Sequence, residues 1–312
     1  MFYNAIRLSI LAAIFVVGCA PRLPFDGSLA VLPYDLRSDG RIVIEVQVND
    51  RGPYRFAIDT AATSSALFAS VIGELALEPV PGVSEIVHGA VATGNFPVVD
   101  IDHLQIGDET WANVRLIALT DTFGNTTAID GLLGADFLRR YAVGFSTQDR
   151  SVRLYRPATI GNRSYRGWNS IHIEPIRFGD TREPLRYLEI ELVGRSVPAL
   201  LDLGAGFNIL NPSAARSLRL TTRRPEQAGE FAGAVGNEPV LAQLSSQDLR
   251  TGNVSWVDET FLIADLEIFD TLEATDSPLA ILGSGLFNQR DFIIDYARDR
   301  LLIKDSMSEY NE

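Results

Sequence analysis

The sequence predicts a mostly β chain built as two similar lobes, and two observations carry that prediction. Short apolar runs, often alternating with polar residues, are broken throughout by Gly, Pro, Asn and Asp, as in RIVIEVQV (41–48), then NDRGP, then YRFAID. Alternation closed off by turn residues is the signature of β-hairpins. The second observation is a repeat of four landmarks in the same order. FAIDTAAT (56–63) returns as ALLDLGAG (199–206), GAVATGNFPV (89–98) as GAVGNEPV (233–240), GLLGADFLRR (131–140) as AILGSGLFNQR (280–290), and QDRSVRL (148–154) as RDRLLI (298–303). Asp59 and Asp202 lie 143 residues apart, Gly89 and Gly233 144, Gly134 and Gly283 149, and Asp149 and Asp299 150. Shared composition alone does not preserve order and offset, so the chain reads as a duplicated unit.

The elements follow in order. The first 20 residues, MFYNAIRLSILAAIFVVGCA, carry one positive charge at Arg7, an apolar stretch over Leu8 to Val17, and Gly18 before Cys19, which is the form of an export signal. The apolar run is about half of the roughly 20 residues a membrane-crossing helix needs. Val16-Val17-Gly18-Cys19 resembles a bacterial lipobox, which implies a lipidated Cys19 at the start of the mature chain. Ala20 after it favours the outer membrane facing the periplasm; an ordinary cleaved signal and a signal anchor are the alternatives. The expected layout is a signal peptide over 1–18, a tether over 19–30, a first lobe over 31–156, a polar connector over 157–170, a second lobe over 171–304 and a tail over 305–312. In each lobe an apolar strand (IVIEVQV, YLEIELV) precedes the strand that ends in aspartate. Helical patterns are short: SALFASVIGELAL (65–77), PSAARSLRL (212–220), and brief segments after Gly134 and Gly283.

Composition removes several function classes. The chain has 312 residues, 46% of them hydrophobic, enough for one large core or two modest ones. Its 27 basic and 40 acidic residues give a net charge of −13, with Lys304 as the sole lysine, and no basic run is interleaved with aromatics. Such a surface repels nucleic acid, whose binding needs many neutralising contacts. Cys19 is the single cysteine, so disulfides, thiol nucleophiles and thiolate metal sites are excluded together. The histidines, His88, His103 and His172, form no HExxH arrangement, and no metal or other cofactor is expected. A G-x-S-x-G elbow is absent, so Gly283-Ser284-Gly285 reads as turn residues. A phosphate loop would need Gly-Lys, which the sequence lacks.

The doubled aspartate stretches resemble the aspartic peptidases of the retropepsin and pepsin type, whose lobes each carry an apolar strand ending in Asp-Thr/Ser-Gly, a glycine-bearing hairpin flap, and an apolar-apolar-Gly segment before a short helix. The matching residues are Asp59-Thr60-Ala61 with Leu132-Leu133-Gly134, and Asp202-Leu203-Gly204 with Ile281-Leu282-Gly283. The resemblance implies a bilobal pepsin-like fold, each lobe retropepsin-like, with the active site between the lobes. It also implies Asp59 and Asp202 as the catalytic pair, Thr60, Ala61, Thr63, Leu203 and Gly204 as its supports, and flaps bent at Gly89, Gly94 and Asn95 and at Gly233, Gly236 and Asn237. Two carboxylates meeting at a twofold axis cannot both stay ionised, so they share a proton and activate water without a covalent intermediate. An extended polypeptide gripped by main-chain pairing with a flap is the implied substrate, and a monomer the implied state.

Two departures stand out. Where the family carries hydroxyls that interlock the lobes, the second lobe has Leu203 and Gly206, so the interlock is at best one-sided. Ala61 stands in place of glycine, at a cost of about 1 kcal/mol only if that position needs positive φ. Three readings remain open: an exported, lipid-anchored aspartic endopeptidase, a catalytically inactive binding or scaffold lipoprotein on the same fold, and a dyad formed between two chains.

Overall fold

The computed structural model describes residues 27–90, 93–120, 129–162, 164–178, 183–220, 230–232 and 237–305. Cys19, the signal and most of the tether therefore lie outside the described residues, as do Gly233, Gly236 and positions 306–312. Among the described residues no helix is long and apolar enough to cross a membrane.

The first half runs β1 (Ala30–Leu36), β2 (Ile42–Val48), β3 (Arg51–Ile58), β4 (Ala66–Phe68), α1 (Ala69–Glu74), β5 (Pro79–His88), β6 (Thr93–Ile106), β7 (Glu109–Leu119), β8 (Gly131–Leu133), α2 (Ala135–Leu138), β9 (Ala142–Ser146) and β10 (Ser151–Tyr155). A short helix α3 (Pro157–Ile160) leads to β11 (Trp168–His172) and β12 (Glu174–Ile176). The second half repeats the plan with β13 (Leu185–Leu192), β14 (Arg195–Asp202), β15 (Asn208–Leu210), α4 (Pro212–Ser217), β16 (Glu230–Ala232), β17 (Asn237–Pro239), β18 (Ala242–Thr251), β19 (Val254–Ile263), α5 (Glu267–Thr271), β20 (Ala280–Gly283), a 3-10 turn (Ser284–Phe287), β21 (Phe292–Asp295) and β22 (Arg300–Lys304).

Each half closes a six-stranded barrel. In the first the order is β2-β3-β8-β4-β7-β6, closed by pairing of β6 with β2; in the second it is β13-β14-β20-β15-β19-β18, closed by β18 on β13. The fold is thus mostly β and bilobal, as the repeat predicts. Closure leaves little free edge and buries one face of every strand, which is why the alternation is regular along β2, with Ile44, Val46 and Val48 inside.

A six-stranded run, continuous with the first barrel through β1, joins the lobes. Its order is β11-β22-β21-β9-β10-β1, with Phe292 to Asp295 of the second lobe paired antiparallel to Phe145 to Ala142 of the first. Phe145 and Phe292 stack across that seam with centroids 4.3 Å apart. The strands come from both lobes, so the lobes form one hydrogen-bonded body.

The departures from the sequence reading are local. Residues 66–68 of the expected helix form β4, because β8 and β7 both offer it an open ladder, and helix begins only at Ala69. Helices α3 and α5, of 4 and 5 residues, are too short to show a helical period.

Candidate active site between the lobes

The two aspartate loops are built by the same device. β3 lies parallel to β8 and β14 parallel to β20, so each aspartate leaves its strand beside an apolar-apolar-Gly segment. The Asp59 backbone N–H donates to Leu133 O at 3.0 Å. The backbone then turns so that two N–H groups point back at the carboxylate. Asp59 Oδ1 accepts from Ala61 at 3.0 Å and Ala62 at 2.8 Å, and Asp202 Oδ1 accepts from Gly204 at 2.9 Å and Ala205 at 3.1 Å. One oxygen of each carboxylate is thereby fixed by its own loop.

The loops meet. A Cβ built on Gly204 would stand 2.4 Å from Asp59 Cγ, so glycine is required there by the opposite carboxylate. Gly204 is the residue whose N–H holds Asp202, which places the two acids on adjoining surfaces. Ala61, the corresponding residue of the first lobe, is not among the positive-φ residues, so alanine carries no backbone strain.

Both carboxylates keep a little solvent contact yet lie deep in the protein. Burial, with the negative charge of Asp59 added to it, pushes Asp202 up to about 8. Burial also raises Asp59, against the pull of its two backbone N–H donors and of Arg41. Both shifts run in the direction that favours a protonated carboxyl.

Thr60 locks the lobes at this point. Its buried hydroxyl donates to Leu201 O at 2.7 Å and accepts from the Leu203 N–H at 2.9 Å. Leu203 is fully buried and has no hydroxyl to return the bond. Thr60→Val should strand both backbone groups and lower stability by about 2 kcal/mol, measured by denaturant unfolding, while Thr60→Ser keeps most of it. Thr63 follows, half-buried.

β5 and β6, where the first flap is expected, pair antiparallel out to His88 and Thr93. Gly89 is buried just beyond β5, whereas Gly94 and Asn95, expected at the bend, sit within β6, paired with Val87 and Ile86. The flap reaches the other lobe. Ala90 O accepts from Ile268 N at 3.2 Å, the Thr93 N–H donates to Glu267 Oε1 at 3.0 Å, and Ala90 packs against the cluster containing Tyr187, Leu200 and Ala205. Glu267→Ala should raise amide exchange at Thr93 about fivefold, the equivalent of one exposed hydrogen bond of about 1 kcal/mol. In the second lobe β16 and β17 pair antiparallel, with Asn237 opposite Ala232; Gly233 and Gly236 of the expected second flap lie outside the described residues.

Sequence reasoning missed two tyrosines. The hydroxyls of Tyr187 and Tyr296 are buried without a hydrogen-bond partner among the described residues. Burial raises both, and the charge of Asp202 on Tyr187 and of Asp59 on Tyr296 adds to it. Each sits in a strand or turn that reads as ordinary core, and only the folded structure brings it near the acids. A surface groove of about 420 Å³ on β1 to β3 contains none of these residues.

Comparison with known proteins decides the family. Residues 44–140 match the family described as gag-polyprotein putative aspartyl protease, and residues 188–286 match the one described as aspartyl protease, so each aspartate loop falls within its own match. The chain belongs to the retropepsin-like aspartyl proteases. This aspartyl protease chain is also 24% identical over 136 residues to DNA damage-inducible protein 1 of Chaetomium globosum, a match covering 44% of the chain and 28% of that relative. In overall fold it is similar to conglutin gamma, a basic 7S globulin from lupine seeds, with a TM-score of 0.53 at 12% identity over 90% of the chain and 96% of the globulin.

Proposed function

We propose that the chain is an exported aspartic endopeptidase that hydrolyses bonds of an extended polypeptide, with Asp59 and Asp202 as its acid pair. The observation that supports this reading is the meeting of the two aspartate loops, each carboxylate tied by one oxygen to its own loop and both raised above the ordinary carboxylate range by burial. In the reaction the ionised carboxylate takes a proton from a water as the water oxygen bonds to the scissile carbonyl carbon. The protonated partner gives its proton to the carbonyl oxygen, forming a neutral diol. Collapse of the diol breaks the C–N bond, the amide nitrogen takes up a proton, and the pair returns to its singly protonated state. The flap supplies backbone groups for pairing with the extended substrate.

The lipobox-like start further supports a lipid anchor at Cys19, placing the enzyme at the periplasmic face of a bacterial outer membrane. Radiolabelled fatty acid should be incorporated by the wild type and not by Cys19→Ser. A silent scaffold is the second reading, and Leu203 favours it, because half of the expected interlock is absent. Turnover of a peptide library between pH 4 and 7 by the full chain separates the two: cleavage supports the endopeptidase, and its absence with an intact fold supports the scaffold.

A further inference from the structure

The two lobes differ reciprocally in where they place a hydroxyl. The first has Thr60 after its aspartate and Ala135 after its Leu-Leu-Gly segment; the second has Leu203 and Ser284 at the corresponding places. The backbone contact is the same in both, since Ala135 N donates to Ala62 O and Ser284 N to Ala205 O, each at 2.8 Å. Ser284 adds something the first lobe lacks. Its buried Oγ lies 2.8 Å from Gly40 O and 3.0 Å from Ala205 O. Gly40 belongs to the turn between β1 and β2 of the opposite lobe, 244 residues away.

That turn is seated tightly. A Cβ on Gly206 would fall 1.6 Å from Asp39 O, and one on Gly285 would fall 2.7 Å from Gly206 O. Gly40 itself adopts φ +88°, which glycine alone accepts readily. Arg41 holds the turn's shape by bonding Asp39 Oδ2 through Nε at 2.9 Å and Nη2 at 2.5 Å, with Arg41 8% exposed. Gly206 thus does not mark a decayed site. The space its side chain would fill is taken by the first lobe.

We propose that the Asp39–Arg41 turn, bonded by Ser284 and admitted by Gly206, is a second interlobe lock that positions the Asp202 loop in place of the hydroxyl missing at Leu203. Ser284 acts through Ala205, whose N–H holds Asp202 Oδ1, so it is a positioning residue. The lock rests on the endopeptidase reading only for its effect on turnover.

The experiment compares full-length wild type, Ser284→Ala, Leu203→Thr and the double variant by amide exchange and peptide turnover. In Ser284→Ala, exchange at Gly204 and Ala205 should rise about tenfold with Ala61 and Ala62 unchanged, and kcat should fall about tenfold at constant KM. Leu203→Thr, which supplies the family's hydroxyl, serves as its own baseline, and adding Ser284→Ala to it should cost less than half of what Ser284→Ala costs in the wild type for both exchange and kcat. Equal exchange at Gly204 and Ala205 in wild type and Ser284→Ala, or additive effects in the double variant, would overturn the lock. A wild type that cleaves nothing defeats the endopeptidase reading, and the exchange comparison still decides the lock.

Discussion

Asp59→Asn and Asp202→Asn are each expected to lower peptide turnover by about 10²- to 10⁴-fold, the range a positioned general acid or base contributes. Asparagine is the informative replacement. Its Oδ1 can still accept from Ala61 and Ala62, or from Gly204 and Ala205, and its shape still fits against Gly204, so the loops keep their form. What it loses is the proton: an amide cannot alternate between taking one from water and giving one to a carbonyl. The two losses should not multiply, because neither acid works alone. Specific activity of the wild type should be independent of enzyme concentration, since one chain carries both acids. A specific activity that rises with concentration would point to a dyad shared between chains.

Stability should fall as pH rises across the neutral range, by up to about 1.4 kcal/mol per pH unit. The cause is Asp202, whose affinity for a proton extends to about pH 8 in the folded protein, against an ordinary carboxylate value of 3.8 in the unfolded chain. Between those limits the folded state binds the extra proton, so raising the pH removes a contribution fully present below the unfolded value. Above about pH 8 both states have released it and the slope should vanish. Groups of the opposite kind act at the acid end. Asp100 is held low by its hydrogen bonds to Arg115, and Asp39 is held low by Arg41 despite its burial, so their contributions are lost as pH falls below the usual carboxylate range. Together they place the optimum near pH 4 to 5, with a decline toward pH 8. Urea unfolding at half-unit pH steps measures it, and Asp202→Asn should flatten most of the decline.

Much of this was legible in the sequence. Duplication was visible because barrel closure demands the same strands in the same order, which leaves a repeat of landmarks. The aspartates were visible because a charged residue ending an apolar strand is uncommon and here occurs twice. What could not be read depends on contacts between distant segments. Gly206 reads as a lost hydroxyl until the Asp39 carbonyl, 167 residues earlier, is found in its place. Ser284 reads as a turn residue until Gly40 is found beside it. Gly94 and Asn95 carry strong local turn preference, yet the register of β5 with β6 keeps them extended within the ladder. Tyr187 reads as core because its ring is core; only its hydroxyl lies near the pair.

The central claim is that folding forces two carboxylates to share one proton. The direct measurement is a carboxyl-carbon NMR titration of the aspartates in the full chain, with Asp59→Asn and Asp202→Asn for assignment. The account predicts two linked steps, the later one near pH 8, with signals of both aspartates moving in each step and the late step absent from either variant. Independent titration of both side chains near pH 4 would contradict it.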